Sequence, residues 1–229
     1  MKNFIRRIYI WQNIYIKNNY FFKKKSYSAY GEDLQIKKHF KKGFRGFYVD
    51  VGCYHPVKAN NTLLLYQKGW RGVNIDINKL SIDFFKYYRP EDLNLNLAIS
   101  KKKINKFYYQ KELSLLNSIK KKQANAAFQG PILTKKIRSS SLNEVLKNSK
   151  FKNREIDFLD IDVEGADLEV LKSLNFKIYN PKLISVEIMP ENLEVKKMNI
   201  KGSNIYKFLI KKNYKMIWTN KFSTLFKKV

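Results

Sequence analysis

The chain has 229 residues, a length that suits one α/β domain with short additions. A hydrophobic fraction of 44% is enough to build a core, and no apolar run reaches the ~18–20 residues that cross a bilayer. Forty-six Lys and Arg against 19 Asp and Glu give a net charge of +27, which invites a nucleic-acid reading. Yet only seven of those cations are Arg, and Lys, Asn, Ile, Phe and Tyr are abundant together, as AT-rich codons would produce. Arg-poor basicity lacks the planar fork that reads bases and phosphates, so the surplus reads as solvated lysine faces and no nucleic-acid partner is expected.

Residues 1–25 stand apart: Phe4, Ile5, Ile8, Trp11 and Tyr15 recur at near-helical spacing before Lys23-Lys24-Lys25. Arg6, Arg7 and Lys17 interrupt the apolar residues and no small-residue cleavage site follows, so the segment does not read as a signal peptide. A basic aromatic helix of this kind suits a membrane surface, a dimer mate or packing onto the domain. We divide the chain into this segment and a domain over 26–229. The single Cys53 excludes an intramolecular disulfide and fits a cytoplasmic location, with peripheral membrane contact left open.

Residues 26–40 read as an N-capped helix after the turn-like SAYGED. From Phe47, strands and helices alternate. FYVDVG (47–52) is a buried strand ending at Gly, NTLLLYQKG (61–69) a helix, RGVNIDI (71–77) a strand, and KLSIDFFKYYRP (79–90) a helix stopped by Pro90. DLNLNLAIS (92–100) alternates as a third strand. Residues 101–135 read as a short strand over 106–110 and then a long loop or lid. SLNEVLKN (141–148) is a Ser-capped helix. IDFLDIDVEG (156–165) and KLISVEI (182–188) are strands separated by the helix ADLEVLKSL (166–174). A helix over 203–213 precedes an antiparallel pair, YKMIWTN (214–220) and FSTLFKK (222–228). This alternation implies a mostly parallel sheet with right-handed crossovers.

In such sheets ligands bind at the carboxyl ends of the strands. Gly52 lets the backbone turn close to a ligand, and Asp76, 24 residues on at the end of the second strand, can accept hydrogen bonds from ribose hydroxyls. A dinucleotide enzyme would carry G-x-G-x-x-G to seat pyrophosphate. G-C-Y-H-P-V argues against phosphate and suits S-adenosylmethionine (SAM), which has none.

YGED (30–33), FYVDVGCYHP (47–56), NNTLLLYQKGWRGVNIDIN (60–78), LNLAIS (95–100), SSSLNEVL (139–146), IDFLDIDVEGADLEVLKSL (156–174) and ISVEI (184–188) follow one another over about residues 28–190. In these blocks the chain resembles the FkbM family of methyltransferases, which O-methylate hydroxyls of sugars and other metabolites. The resemblance implies a Rossmann-like class I methyltransferase fold: a mostly parallel seven-stranded sheet with helices on both faces. It implies SAM as methyl donor, held by Asp50, Gly52, Asp76 and Ala98. Cys53 and Tyr54 stand where the family often has a small residue and then Asn.

His55 reads either as a general base for an acceptor hydroxyl or as a structural loop histidine. Asn60, Asn61 and Thr62 read as helix caps, and Cys53 as a small residue in a tight turn. Asp162 and Glu164 alternate at the exit of the fourth strand and could serve as bases or hold Mg²⁺, whereas Asp160 reads as structural. Glu187 ends the next long strand and could line the acceptor side. His55, Asp162 and Glu164 are therefore the expected catalytic residues, with Asp162 and Glu164 as the candidate metal ligands. The expected acceptor is a sugar, glycan or related small molecule. The competing readings are a nucleic-acid methyltransferase, whose N/D-P-P-Y/F motif is missing, and a non-catalytic binding module on the same fold.

Overall fold

A computed structural model of the chain describes residues 2–188, 199–220 and 222–229. The N-terminal segment forms helix α1 (Lys2–Trp11), a π-helical turn (Gln12–Lys17) and a 3₁₀ turn (Asn19–Lys23). Helix α2 (Glu32–Lys37) follows, led by Gly31 in a left-handed conformation. The alternating core then runs β1 (Phe47–Val51), α3 (Leu63–Gln67), β2 (Arg71–Asp76), α4 (Lys79–Tyr88), β3 (Leu93–Asn96) and β4 (Ala98–Ile99). It continues as β5 (Ile104–Tyr109), α5 (Lys121–Ala127), β6 (Leu133–Ser140), α6 (Leu142–Lys147) and β7 (Phe158–Ile161). The last elements are α7 (Asp167–Ser173), β8 (Leu183–Glu187), α8 (Asn204–Ile210), β9 (Tyr214–Thr219) and β10 (Ser223–Lys228).

The main sheet has seven strands in the order β3-β2-β1-β7-β8-β10-β9. All neighbours pair in parallel except β10, which runs antiparallel to both β8 and β9. This is the expected mostly parallel seven-stranded sheet. Its strand order reverses between β1 and β7, so the tips of those two strands open the crevice in which ligands of open α/β sheets bind.

Helices cover both faces, which is why β1 is buried along its whole length. Phe47, Val49 and Val51 join α6 and α7 in one apolar cluster through Leu142, Val145 and Val170. Tyr48 points the other way and packs with Ile36, Leu65 and Trp70 from the α2–α3 side. Helix α6 carries the expected serine cap: Ser141 Oγ accepts from Glu144 N (3.1 Å), and Glu144 returns a bond to the Ser141 N–H.

Three expectations change. The strand read over 92–100 is broken at Leu97, and β4 leaves the main sheet to pair with β6. The stretch read as a loop after residue 110 contains α5 and the start of β6, which pairs antiparallel with β5 in full register. Most of its lysines are exposed and few of its apolar residues are buried (Phe107, Ala124 and Ile137), so no apolar periodicity marks it. Residues 1–25 do not stand apart in packing. Ile10, Ile14 and Phe21 share an apolar cluster with Val57, Leu63, Leu80 and Phe84 of the domain, and Arg6 pairs with Asp83.

Candidate active site

A cleft opens at the switch point, where ligands of open α/β sheets bind. Its floor is the carboxyl ends of β1, β2 and β7, represented by Gly52, Asp76 and Asp162. Ala98 and Leu97 form one wall, and Ser114, Leu115, Asn117 and Ile119 cross over it as a lid.

Gly52 is required where the β1 tip meets the β7 exit. Its φ is +88°, and a Cβ there would lie 1.7 Å from the Asp162 carbonyl oxygen. The Gly52 N–H donates to Ile75 O (2.8 Å) and the Asp162 N–H to Val51 O (2.9 Å), so three strand tips are locked together at this point.

Asp76 faces the cleft while holding its rim. Oδ1 accepts from Asn78 N (2.7 Å) and Oδ2 from Tyr54 N (2.8 Å), and each oxygen keeps further acceptor capacity. Burial raises its pKa to about 6, against the pull of those two N–H donors. Tyr54, held at φ 52°, thereby joins the cleft wall, a role its departure from the family pattern does not announce.

Asp50 does not line the cleft. It is buried beneath the loop, where Oδ2 accepts from Thr62 Oγ1 (2.8 Å) and from Asn60 Nδ2 (3.5 Å). The fully buried Arg89 completes this support by donating to Thr62 Oγ1 (2.8 Å), Asn60 Oδ1 (2.7 Å) and Pro56 O (2.6 Å). A buried cation among these acceptors offsets the carboxylate's burial and shapes the loop from below. Asn60 and Thr62 therefore brace this network; Asn60 Oδ1 also accepts from Thr62 N (3.1 Å) at the N-cap of α3, the Thr62 side chain makes no cap bond, and Asn61 donates to Asp160 (3.2 Å). Asp50 supports the cofactor loop from one layer down and is not the direct contact expected of it.

His55 is also outside the cleft, and this corrects its reading as a base. It is 1% exposed; Nδ1 accepts from Val57 N (3.1 Å) and Lys58 N (3.0 Å), which leaves Nε2 to donate to Asn13 Oδ1 (3.1 Å). Burial, with Lys58 and Arg89 nearby, lowers its pKa to about 3. A neutral imidazole with both nitrogens engaged has no lone pair to offer a substrate. The sequence could not show Asn13, 42 positions away, arriving as its partner.

Asp162 and Glu164 do come together, and Glu187 from the end of β8 joins them. One carboxylate oxygen from each lies within 4.8 Å of the others. Glu164 sits at φ 53° in a tight turn, pinned by Asp167, which accepts from Val163 N (3.2 Å) and Gly165 N (3.1 Å). Burial raises the Glu164 pKa to about 8, helped by Asp162 and Asp167. Asp162 is exposed at the edge of the cluster and shares a hydrogen bond with the half-buried Glu187, whose pKa is raised by burial and its acidic neighbours. Mutual repulsion among these carboxyls, with burial, favours protons on Glu164 and Glu187 near neutral pH.

Among the described residues, the buried Asn117 Oδ1 in the lid and Glu187 Oε2 have no hydrogen-bond partner. The lid itself is tied to the acidic turn by Ser118 Oγ donating to Glu164 O (2.8 Å). Its residues went unread because the flanking lysine runs hide the short segment SLLNSI (114–119).

The family model described as the methyltransferase FkbM domain matches residues 50–216. No curated protein matches the chain. Among solved structures the chain is similar to a TehB-like SAM-dependent methyltransferase from Corynebacterium glutamicum. That similarity has 12% identity over 100% of this chain and 97% of that one, with a TM-score of 0.43.

Proposed function

The chain belongs to the FkbM methyltransferase family, and from that membership we propose that it methylates a hydroxyl oxygen of a sugar, glycan or related metabolite. Family membership makes it a SAM-dependent methyltransferase; the hydroxyl acceptor is our own reading, carried by the acidic cluster at the cleft. When bound, SAM supplies an electrophilic methyl group on a sulfonium. In this reading Asp76, which lines the cleft with acceptor capacity left over, takes the ribose hydroxyls, and Gly52 allows the tight β1 exit beside it.

The acceptor oxygen forms a bond to the methyl carbon as the carbon–sulfur bond breaks, and the electron pair stays on sulfur. The hydroxyl proton must leave. Glu164, whose pKa is raised to about 8, takes it in its ionised form, so methyl transfer should rise with pH up to about 8. Alignment of the two reactants supplies the larger share of the acceleration.

Asp162, Glu164 and Glu187 also favour a second version of the step. Three hard oxygen donors within 4.8 Å suit a divalent cation such as Mg²⁺, which would lower the pKa of a coordinated hydroxyl.

The test is transfer of a labelled methyl group from SAM to a panel of sugars and lipid-linked glycans. An alkali-stable methyl ether supports the proposal; a methyl ester or N-methyl product refutes it. Activity abolished by EDTA and restored by Mg²⁺ selects the cation version, and EDTA resistance selects Glu164 alone. Asp76→Asn should weaken S-adenosylhomocysteine binding by ~1.5–3 kcal/mol for each ribose hydrogen bond lost, read by calorimetry. Equal affinity would remove Asp76 from the cofactor site.

A further inference from the structure

The N-terminal helix is apolar on two sides, and only one of them is covered. Ile10 and Ile14 are buried against the domain, at 5% and 0% exposure. Phe4, Ile8 and Trp11 recur at i, i+4 and i+7, which places them in one stripe roughly opposite Ile10. Phe4 is 68% exposed, Ile8 40% and Trp11 45%. Ile5, Tyr15 and Ile16 widen the patch and are also exposed. Single exposed apolar residues are ordinary, but a contiguous group of large ones marks an interaction surface.

The charge within the segment itself has one sign. No Asp or Glu precedes Glu32 in the sequence, whereas Arg6, Arg7, Lys17, Lys24 and Lys25 are all in or beside the segment. The acids that face it come from the domain: Asp83 is taken up by Arg6, and Glu112 shares a surface groove with Ile5, Arg6 and Tyr9. Arg7 remains exposed. Lys17 lies over the Tyr9 ring and Lys24 over the Tyr20 and Phe21 rings, so cations and aromatics alternate at the surface.

We propose that this stripe docks the protein on an anionic lipid bilayer. Trp and Tyr side chains are amphipathic and settle at the headgroup level, while Lys and Arg are drawn to anionic headgroups. A second copy of the chain is the poorer occupant. A two-fold dimer would set the same patch against itself and bring two acid-free cationic segments face to face on chains of charge +27. A bilayer complements both the apolar stripe and the charge. The docked segment also reaches the cleft: Leu113, at the start of the lid, packs on the cluster that holds Ile10 and Ile14. Leu115 and Leu116 of the same lid are exposed. The inference stands without the hydroxyl-methylation reading, because its readout is binding.

The experiment is sedimentation of the full chain with phosphatidylcholine vesicles, with and without phosphatidylglycerol. The wild type should pellet with the anionic vesicles and be released as salt rises. Combined Phe4→Ser, Ile8→Ser and Trp11→Ser should cut the bound fraction roughly tenfold or more without lowering the melting temperature, since all three side chains are exposed. Trp11→Phe keeps the bulk and should bind as the wild type does, but lose the quenching of Trp11 fluorescence by brominated lipid. Unchanged vesicle binding in the triple variant overturns the proposal. So does a wild type that ignores vesicles and forms a dimer which the triple variant dissociates.

Discussion

At the residue scale the site depends on a few positions where one atom more or less decides the outcome. Gly52→Ala sets a methyl group 1.7 Å from the Asp162 carbonyl and requires a left-handed φ. We expect loss of S-adenosylhomocysteine binding and a destabilisation of ~2 kcal/mol or more, read by calorimetry and thermal denaturation. His55→Ala should behave as a structural mutation. It removes the acceptor of two loop N–H groups and the tie to Asn13, so the melting temperature should fall while the pH profile of turnover keeps its shape. A profile that loses an ionisation would return His55 to the chemistry. Glu164 is raised from its ordinary range to about 8, so its contribution to stability is fully present below the ordinary glutamate pKa of ~4.3. It is lost as pH rises through about 8. Glu164→Gln should therefore raise the melting temperature more at pH 9 than at pH 5, and lower methyl transfer ~10²–10⁴-fold if Glu164 takes the proton. A melting temperature equally changed at both pH values would show that Glu164 is not held protonated.

At the element scale, the support of the cofactor loop comes from outside the strand that carries it. Arg89, just beyond α4, holds the 56–62 loop through three acceptors, and Asp92 bonds Tyr48 and Gly72 N (2.8 Å) from the other end of that turn. Arg89→Met should cost ~3–5 kcal/mol, because Asp50 and its partners lose a buried cation. Denaturant unfolding measures it, and a change below ~1 kcal/mol would refute the bracing role. The N-terminal helix is an element of the same kind. Removing residues 1–25 uncovers Val57, Leu63, Leu80 and Phe84 and strips His55 of Asn13. The truncated chain should therefore unfold at lower denaturant than the full chain; an unchanged midpoint would make the segment a separate piece after all.

On the scale of the whole molecule, charge is distributed against its own average. A chain of net charge +27 gathers Asp162, Glu164 and Glu187 at its cleft. Lysines dominate elsewhere, and among the described residues no helix is long and apolar enough to cross a membrane. Near neutral pH Asp76 and Asp162, each raised only to about 6, are the ionised groups at this cleft, and they suit a ligand that carries positive charge, as the SAM sulfonium does. Ligand binding to the native state alone raises stability by mass action, by ~2.7 kcal/mol at a hundredfold excess over Kd. Thermal denaturation with S-adenosylhomocysteine should show a corresponding upward shift, and the Asp76→Asn variant should lose most of it.

The sequence by itself determined the order and type of the main-sheet elements, because buried parallel strands are written as short apolar runs and their turns as Gly or Asp. FYVDVG, RGVNID and FLDI became β1, β2 and β7 nearly as read, Gly52 and Asp76 reached the cleft that local pattern assigned them, and so did Ala98, which the family resemblance singled out. What depends on distant partners was decided by tertiary structure. Asp50 and Asp76 both sit at strand ends, but only Asp76 faces the cleft; Arg89, Thr62 and Asn60 draw Asp50 inward. His55 became a structural residue because Asn13 and two loop amides fill its coordination. Glu187 joined Asp162 and Glu164 because β8 lies beside β7 in the sheet. Burial, hydrogen-bond partners and neighbouring charges are properties of the folded neighbourhood. A residue's type and spacing state what it can do, and that neighbourhood states whether it faces a ligand.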